Sequence, residues 1–196
     1  MANVSVCDEL RTSLDRSCSR KLPKKYKQEA VFININDIDR ANSPVGEIGG
    51  ATCAYSVQMI LKALKKGVNI KLPESGNAIK GFVNKSKTDN GRVQYLHQVQ
   101  ILMEGADEQT KCVMDKLDHG LYVVALQLSD ETVEIYGWEY GISTGDYTYD
   151  LTDGGGGSLI VLQSDERWQE SMLPLVYKAA ANGDANADFN EQFEAA

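Results

Sequence analysis

The stretch ATCAYSVQMILKA at residues 51–63 decides the fold class, because its large side chains alternate with smaller or more polar ones. A period of two residues is that of a half-buried β-strand, whose successive side chains point to opposite faces. An amphipathic helix would repeat about every 3.6 residues instead. The stretch therefore predicts a long strand. One face of this strand would carry Cys53, Tyr55, Val57, Met59 and Leu61.

Segment 91–104, GRVQYLHQVQILME, repeats the alternation and predicts a second long strand. Its inward face would carry Val93, Tyr95, His97, Val99, Ile101 and Met103. Shorter runs rich in β-forming residues, bounded by turn residues, predict further strands. These runs are 30–35, 67–72, 79–84, 120–128, 132–140, 146–151 and 158–163. The strands 120–128 and 132–140 meet across residues 129–131, which predicts a hairpin.

One interior helix is predicted in the sequence ADEQTKCVMDKLDHG at 106–120. Asp107 stands where an N-cap belongs, and Gly120 closes the end. The helical spacing is carried by Thr110, Val113, Met114 and Leu117. The fold class is therefore α+β and mainly β: a β-sandwich or barrel-like body with one flanking helix.

Composition divides the chain into an N-terminal arm at 1–29, a β-sandwich domain at 30–178 and an acidic tail at 179–196. The tail has four acidic residues and no basic one, which is typical of a flexible or partner-dependent segment. The arm is basic, and we interpret its cations as an assembly arm that docks on an acidic surface of a partner subunit. They are Arg20, Lys21, Lys24, Lys25 and Lys27.

The net charge of -8 is concentrated near the end of the chain: residues 129–196 hold two basic and fourteen acidic side chains. One interpretation is a solvated acidic surface. The other is that oppositely charged ends attract in neighbouring copies, or that an acidic face repels an anion. If the strands at 120–163 line a channel, Asp146, Asp150 and Asp153 would face it and repel DNA phosphates.

Catalytic patterns are lacking, so the sequence predicts a protein that is not an enzyme and has no cofactor or metal. His97 lies on the apolar face of a predicted strand, where a hydrogen-bonded structural histidine is expected, and His119 follows a helix as a cap. The four cysteines lie far apart and predict free thiols. No apolar stretch approaches the ~18–20 residues that span a bilayer.

Aromatic residues are dense in segment 136–149, where they are expected in cross-strand pairs or subunit contacts. A sharper alternative is a sugar-binding platform formed by Trp138 and Tyr140. The N-terminus carries charges where a signal peptide would need its apolar core, which predicts synthesis and retention in a cytoplasm.

The run YVVALQLSDETVEIYGWEYGISTGDYTYDLTDGGGGSLIVLQSDE at 122–166, with MLPLVYK at 172–178, resembles structural proteins of crAss-like and related Bacteroides phages. The segments CDELRTSLDRSCSRKLPKKYKQEAVFIN and GATCAYSVQMILK resemble the same group. The resemblance covers about residues 5–178 and implies a virion protein with a tail-tube-like fold.

The role implied by this resemblance is a ring of the tail hub or tube near the head–tail junction, assembled in the host bacterial cytoplasm. A hexameric ring is preferred and a dodecamer is possible. The expected partners are other copies and other tail, neck or portal-proximal proteins, with DNA only passing through and no membrane. The alternatives are a head–tail connector or stopper subunit and a non-enzymatic carbohydrate-binding β-sandwich module.

Overall fold

The computed structural model describes residues 25–48, 54–72, 78–88, 90–150, 152, 157–181 and 183–194. Within these ranges the chain is mainly β, with two sheets and one main helix. The strands are β1 (Tyr26–Asn34), β2 (Val45–Gly46), β3 (Ser56–Val57), β4 (Val68–Lys71), β5 (Ile79–Lys87), β6 (Val93–Glu104), β7 (Tyr122–Leu128), β8 (Val133–Tyr136), β9 (Ser143–Thr144), β10 (Gly157–Gln163) and β11 (Leu175–Tyr177). The helices are α1 (Glu108–Asp118) and α2 (Ala185–Asn190), with a 3-10 turn at Ile35–Asp37.

The larger sheet has seven strands in the order β2-β3-β11-β8-β7-β1-β4. Its strands pair antiparallel except β3 and β11, which run parallel. The smaller sheet is an antiparallel set of four in the order β5-β6-β10-β9. This mainly β, sandwich-like arrangement of two sheets confirms the predicted fold class.

Both faces of the larger sheet are buried. In β1, Val31 and Ile33 belong to one hydrophobic cluster, whereas Ala30 and Phe32 belong to another. The second cluster also holds residues of the smaller sheet, such as Ile160, and therefore fills the space between the sheets. A strand buried on both faces needs apolar residues at successive positions, which accounts for the continuous apolar runs in β1 and β7.

Helix α1 confirms the helix prediction and its caps. The Asp107 carboxylate accepts hydrogen bonds from the Thr110 N–H at 2.9 Å and the Thr110 hydroxyl at 2.8 Å. Met114 and Leu117 are buried in the cluster between the sheets. At the other end, the Gly120 N–H donates to the Leu117 carbonyl. Local capping and apolar spacing are therefore sufficient to specify this element.

The prediction of a flexible C-terminal tail is wrong for residues 184–193, where α2 folds onto the body. Phe189 and Phe193 are buried in the cluster on the outer face of the larger sheet. The Phe193 ring lies 4.9 Å from the ring of Tyr177, measured between centroids. Burial of two aromatic side chains outweighs the polar composition around them, because each removes a large apolar area from water.

The long strand predicted over 51–63 is not formed in its described part, where β3 is the only strand. Burial nevertheless alternates from Val57 to Leu61. The buried positions include Val57, Met59 and Leu61. The backbone instead pairs with an irregular segment; for example, the Ile60 N–H donates to the Ser43 hydroxyl at 2.9 Å. The pattern thus predicted the extended backbone and its buried face, but not its partner.

Other strand limits differ from the sequence predictions. The strand predicted over 146–151 is absent from its described part, and β9 precedes it instead. β1 begins four residues before the predicted start, so residues 26–29, assigned to the arm, belong to the larger sheet. β5 extends three residues past its predicted end, and β8 stops four residues short of its own. The β7–β8 hairpin is confirmed, as are strands within 91–104 and 158–163.

Candidate functional site

The residues assigned to the assembly arm and the channel lie in different surroundings. Lys25 is exposed just before β1, and Lys27 is half-buried within that strand. Asp146 and Asp150 are exposed on the segment after β9. The remaining members fall outside the described residues; they are Arg20, Lys21, Lys24 and Asp153. The assignment of these side chains to an arm and to a channel stays a prediction.

β5 forms one edge of the smaller sheet, and no described strand pairs with its outer side. The Ile79 N–H points away from β6, because it donates to the Gln28 side-chain oxygen at 3.0 Å. Alternate residues of an antiparallel strand present their backbone groups to the same side. The outward backbone groups of β5 therefore belong to Gly81, Val83, Lys85 and Lys87. Such a row is a template for pairing with another strand.

The charge of this edge is uniformly positive. β5 carries three lysines and no acidic residue in the sequence IKGFVNKSK, and its last four residues are exposed. Lysines on an edge strand oppose pairing with an identical strand, because like charges would face each other. We call this set the basic edge. It consists of Lys80, Lys85 and Lys87.

The opposite edge of the smaller sheet carries more acidic than basic side chains, although α1 also has the exposed Lys111 and Lys116 there. β9 lies beside α1, and the segment that follows β9 contacts that helix: the Tyr147 hydroxyl donates to Asp118 at 2.8 Å. The Lys111 ammonium lies 5.8 Å from the centroid of the Tyr149 ring. We call the exposed acids gathered here the acidic strip. They are Asp115, Asp118, Asp146 and Asp150.

The outer face of the smaller sheet is nearly free of charge in its centre. An amide row crosses three strands, because the Asn84 side chain donates to Gln98 at 2.8 Å and Gln98 donates to Gln163 at 3.1 Å. Apolar side chains stand around this row, and all remain partly or largely exposed to solvent. They are Phe82, Leu96, Leu102, Leu159 and Val161. A flat, partly apolar face of this kind suits contact with another protein surface.

Two loops, at residues 137–141 and 165–171, are joined by hydrogen bonds in which a carboxylate of each loop accepts from groups of the other. Glu170 is only 2% exposed, and its oxygens accept the N–H groups of Glu139 at 2.7 Å and Tyr140 at 3.1 Å. The Glu139 carboxylate in turn accepts the N–H and the hydroxyl of Ser171 at 2.7 and 2.5 Å. These four bonds tie the turn at 137–141 to the loop at 165–171.

Burial raises the pKa of Glu170 to about 7. The N–H groups of Glu139 and Tyr140 and the charge of Arg40 act in the opposite direction, since they favour the carboxylate. The Arg40 guanidinium also lies over the Trp138 ring, 4.1 Å from its centroid. Burying a carboxylate costs free energy, and here the two N–H groups that bind it offset part of that cost. The same bonds hold the two loops in one relative position.

The sugar platform proposed for Trp138 and Tyr140 is wrong in one of its two members. Trp138 is only 6% exposed and packs within the core. Tyr140 is 45% exposed and is paired instead with Trp168, which is 60% exposed. The ring centroids of this pair lie 5.8 Å apart and the ring planes are inclined by 43°. An isolated tryptophan in the polar sequence SDERWQES was the available signal for its exposure.

His97 is a buried structural histidine, as the sequence predicted. The Gly137 N–H donates to Nδ1 at 3.1 Å, so Nε2 carries the ring proton and donates to the Met172 carbonyl at 2.8 Å. Burial lowers the pKa of His97 to about 4, so the ring is neutral near neutral pH. Both ring nitrogens are committed to backbone partners at the base of the two loops, which leaves no nitrogen for proton transfer to a substrate.

The remaining reactive side chains are dispersed. His119 follows α1 as its C-cap, and a hydrogen bond to the Asp115 carbonyl raises the pKa of its ring. Cys112 is an exposed free thiol on α1, whereas the other cysteines lie outside the described residues. Within the described part of the chain, no cluster of three metal-binding side chains occurs. No helix there is long and apolar enough to cross a membrane.

Comparisons with protein-family models, with curated proteins and with solved structures find nothing that matches this chain. The class of protein is therefore defined by the fold and its surfaces alone. It is a mainly β protein of two sheets with one main helix. The edges of its smaller sheet carry opposite charges, and the hydrogen-bonded loops at 137–141 and 165–171, which we call the cross-bonded loops, present the Tyr140–Trp168 pair.

Proposed function

We propose that this chain is a non-enzymatic structural subunit of a bacteriophage tail ring, in the tail hub or tube near the head–tail junction. The resemblance of residues 122–166 and 172–178 to phage structural proteins supports the phage setting. The observation that carries the proposal is that the basic edge and the acidic strip lie at opposite edges of the same sheet.

The arrangement of these charges favours head-to-tail contact between copies. Two basic edges repel each other, as do two acidic strips, whereas unlike edges of neighbouring copies attract. A contact between unlike surfaces repeats from copy to copy and closes into a ring when the rotation permits. Strand pairing along β5 and burial of the outer face of the smaller sheet would add area toward the roughly 1,600 Å² of a stable interface.

Asp146 and Asp150 have two possible roles in such a ring. As channel-lining residues they would repel DNA phosphates, and as part of the acidic strip they would meet the β5 lysines of the next copy. Their position on the segment that contacts α1, at the edge opposite β5, favours the contact. The two roles predict different results for charge reversal, since only the contact role requires these acids for assembly.

Native mass spectrometry of charge-reversal variants, with negative-stain images of the same samples, tests the proposal. We expect rings for the wild type and their loss in a variant carrying Lys85→Glu and Lys87→Glu. A second variant, with Asp115→Lys and Asp146→Lys, should also form no rings on its own. The chain carrying all four changes should assemble again, because each interface regains opposite charges.

The control is Lys178→Glu, which reverses one charge, half the change of the β5 variant, at an exposed position after β11. It should assemble like the wild type. Equal loss in this control would attribute the effect to net charge alone. Rings that persist in the β5 variant, or a wild type that stays monomeric at every concentration and in the presence of other tail proteins, would refute the proposed contact.

A further inference from the structure

The two loops, residues 137–141 and 165–171, present two exposed aromatic rings on backbones that hydrogen bonds tie together. Tyr140 belongs to the turn that Glu170 holds through two backbone N–H groups, and Trp168 lies two residues before Glu170 in the partner loop. The loop around Trp168 is itself closed, since the Trp168 N–H donates to the Asp165 carbonyl at 3.0 Å. Aromatic side chains held in this way bind a ligand with little further loss of conformational freedom.

A polar hollow lies beside these loops, where β9 meets the end of β10 and the start of the second loop. Its volume is about 390 Å³, within the range of roughly 300–1,000 Å³ typical of small-molecule sites. The hollow extends to Arg167, the residue before Trp168, and to Ser143, three residues after Tyr140. Its hydroxyl, amide, carboxylate and guanidinium groups come from Ser143, Thr144, Gln163, Asp165, Glu166 and Arg167.

From these observations we propose that Tyr140, Trp168 and the adjoining hollow form a binding site for an uncharged pyranose sugar of a glycan. A pyranose ring has an apolar face of C–H groups and a rim of hydroxyls. The C–H face matches exposed aromatic rings, and the hydroxyls match side chains that both donate and accept hydrogen bonds. The inclined Tyr140 and Trp168 rings supply the first surface, and the hollow supplies the second.

The charges around the hollow select among sugars. Asp165 and Glu166 are acidic, and the single cation, Arg167, is already paired with Asp165 at 3.2 Å. The surroundings are therefore negative, so a sugar acid such as glucuronic acid is disfavoured by like charge. Neutral hexoses and N-acetylhexosamines remain. This site shares no residue with the basic edge or the acidic strip, so variants at Tyr140 and Trp168 leave both sets of charges unchanged.

Tryptophan fluorescence provides the test, because the chain has two tryptophans in opposite environments. The probes are methyl glycosides of glucose, galactose, mannose and N-acetylglucosamine, their short oligomers, and glucuronic acid. At least one neutral probe should change the emission of the wild type and saturate in the millimolar range or below. Trp168→Ala should weaken that binding at least about tenfold when binding is measured by calorimetry, since the variant lacks both the larger ring of the pair and the responding fluorophore.

Two further variants make the result specific. In Trp168→Phe the remaining fluorophore, Trp138, is buried, so the emission should no longer respond although calorimetry still detects weakened binding. Leu173→Ala alters another exposed apolar residue and should bind like the wild type. The proposal is overturned if no neutral probe binds, if glucuronic acid binds equally well, or if Trp168→Ala binds unchanged. Loss of assembly in Trp168→Ala without sugar binding would assign the pair to a protein contact instead.

Discussion

Glu170 and His97 should each make the free energy of unfolding depend on pH, with opposite signs, so that the two effects nearly cancel in the wild type. The folded-state pKa of Glu170 is raised to about 7 and that of His97 is lowered to about 4, each mainly by burial. Folding therefore retains a proton on Glu170 that the unfolded chain releases, and it denies His97 a proton that the unfolded chain takes up. The free energy of unfolding responds to these two groups with opposite signs.

The size of each effect on the free energy of unfolding follows from the pKa shift of the group. The ordinary pKa of a glutamate is 4.5, so the stabilising effect of Glu170 is complete below that pH and is lost as the pH rises through its folded-state pKa of about 7. The ordinary pKa of a histidine is 6.5, so the stabilising effect of His97 is complete above that pH and is lost as the pH falls toward its folded-state pKa of about 4. Between about pH 5 and pH 8 each group changes the free energy of unfolding by about 2 kcal/mol. The two changes nearly cancel in the wild type.

Single substitutions should reveal each dependence separately. In Glu170→Gln the His97 effect remains, so the free energy of unfolding should rise by about 2 kcal/mol from about pH 5 to pH 8 relative to wild type. In His97→Gln the Glu170 effect remains, and the relative free energy should fall by a similar amount over the same range. Both variants also lose hydrogen bonds, which lowers stability by an offset that depends little on pH.

Urea denaturation of the wild type, both single variants and the double variant, at steps between about pH 5 and pH 8, measures these slopes. Other titrating groups are common to all four proteins and cancel in the differences. Parallel curves for wild type and Glu170→Gln would refute the reasoning, since they would mean that Glu170 titrates alike in the folded and unfolded states.

Two predictions concern the packing and capping of the helices. Phe189→Ala should lower the free energy of unfolding by about 3–5 kcal/mol in urea denaturation, because the ring is fully buried beneath the larger sheet. The exposed neighbour Asn190 is the control: Asn190→Ala should change it by no more than about 0.5 kcal/mol, and equal losses would contradict a specific role for the ring. Asp107→Ala should cost about 1 kcal/mol, because the Thr110 N–H loses its acceptor. A loss below about 0.3 kcal/mol would show that this cap contributes little.

Local signals specified those parts of the fold that the sequence could predict. The N-cap at Asp107 and the spacing through Leu117 fixed α1, and strict alternation over 91–104 fixed β6. The period of 51–63 correctly indicated the burial of Val57, Met59 and Leu61, although Ser56 is buried as well and an irregular segment became the backbone partner. α2 was missed because composition averages over a segment, whereas burial there depends on two phenylalanines.

The cross-bonded loops could not be predicted, because their bonds join residues that are remote in sequence. Glu139 and Glu170 are separated by 31 positions, and each carboxylate looks like an ordinary surface acid in its own segment. Their roles depend on a tight turn that brings backbone N–H groups together, which Gly137 and Gly141 allow through positive φ angles. By contrast, the basic character of β5 could be read directly from its sequence.

The late position of α2 in the chain has a consequence for biosynthesis. A ribosome delivers all the described strands before Phe189 and Phe193, so the nascent chain exposes the part of the outer apolar face that these two residues cover until they emerge. Truncated translation products that end before this point retain an open hydrophobic surface, which favours aggregation and capture by chaperones. Chains that include α2 cover this part of the surface, so the docking of α2 distinguishes them from shorter translation products before any assembly begins.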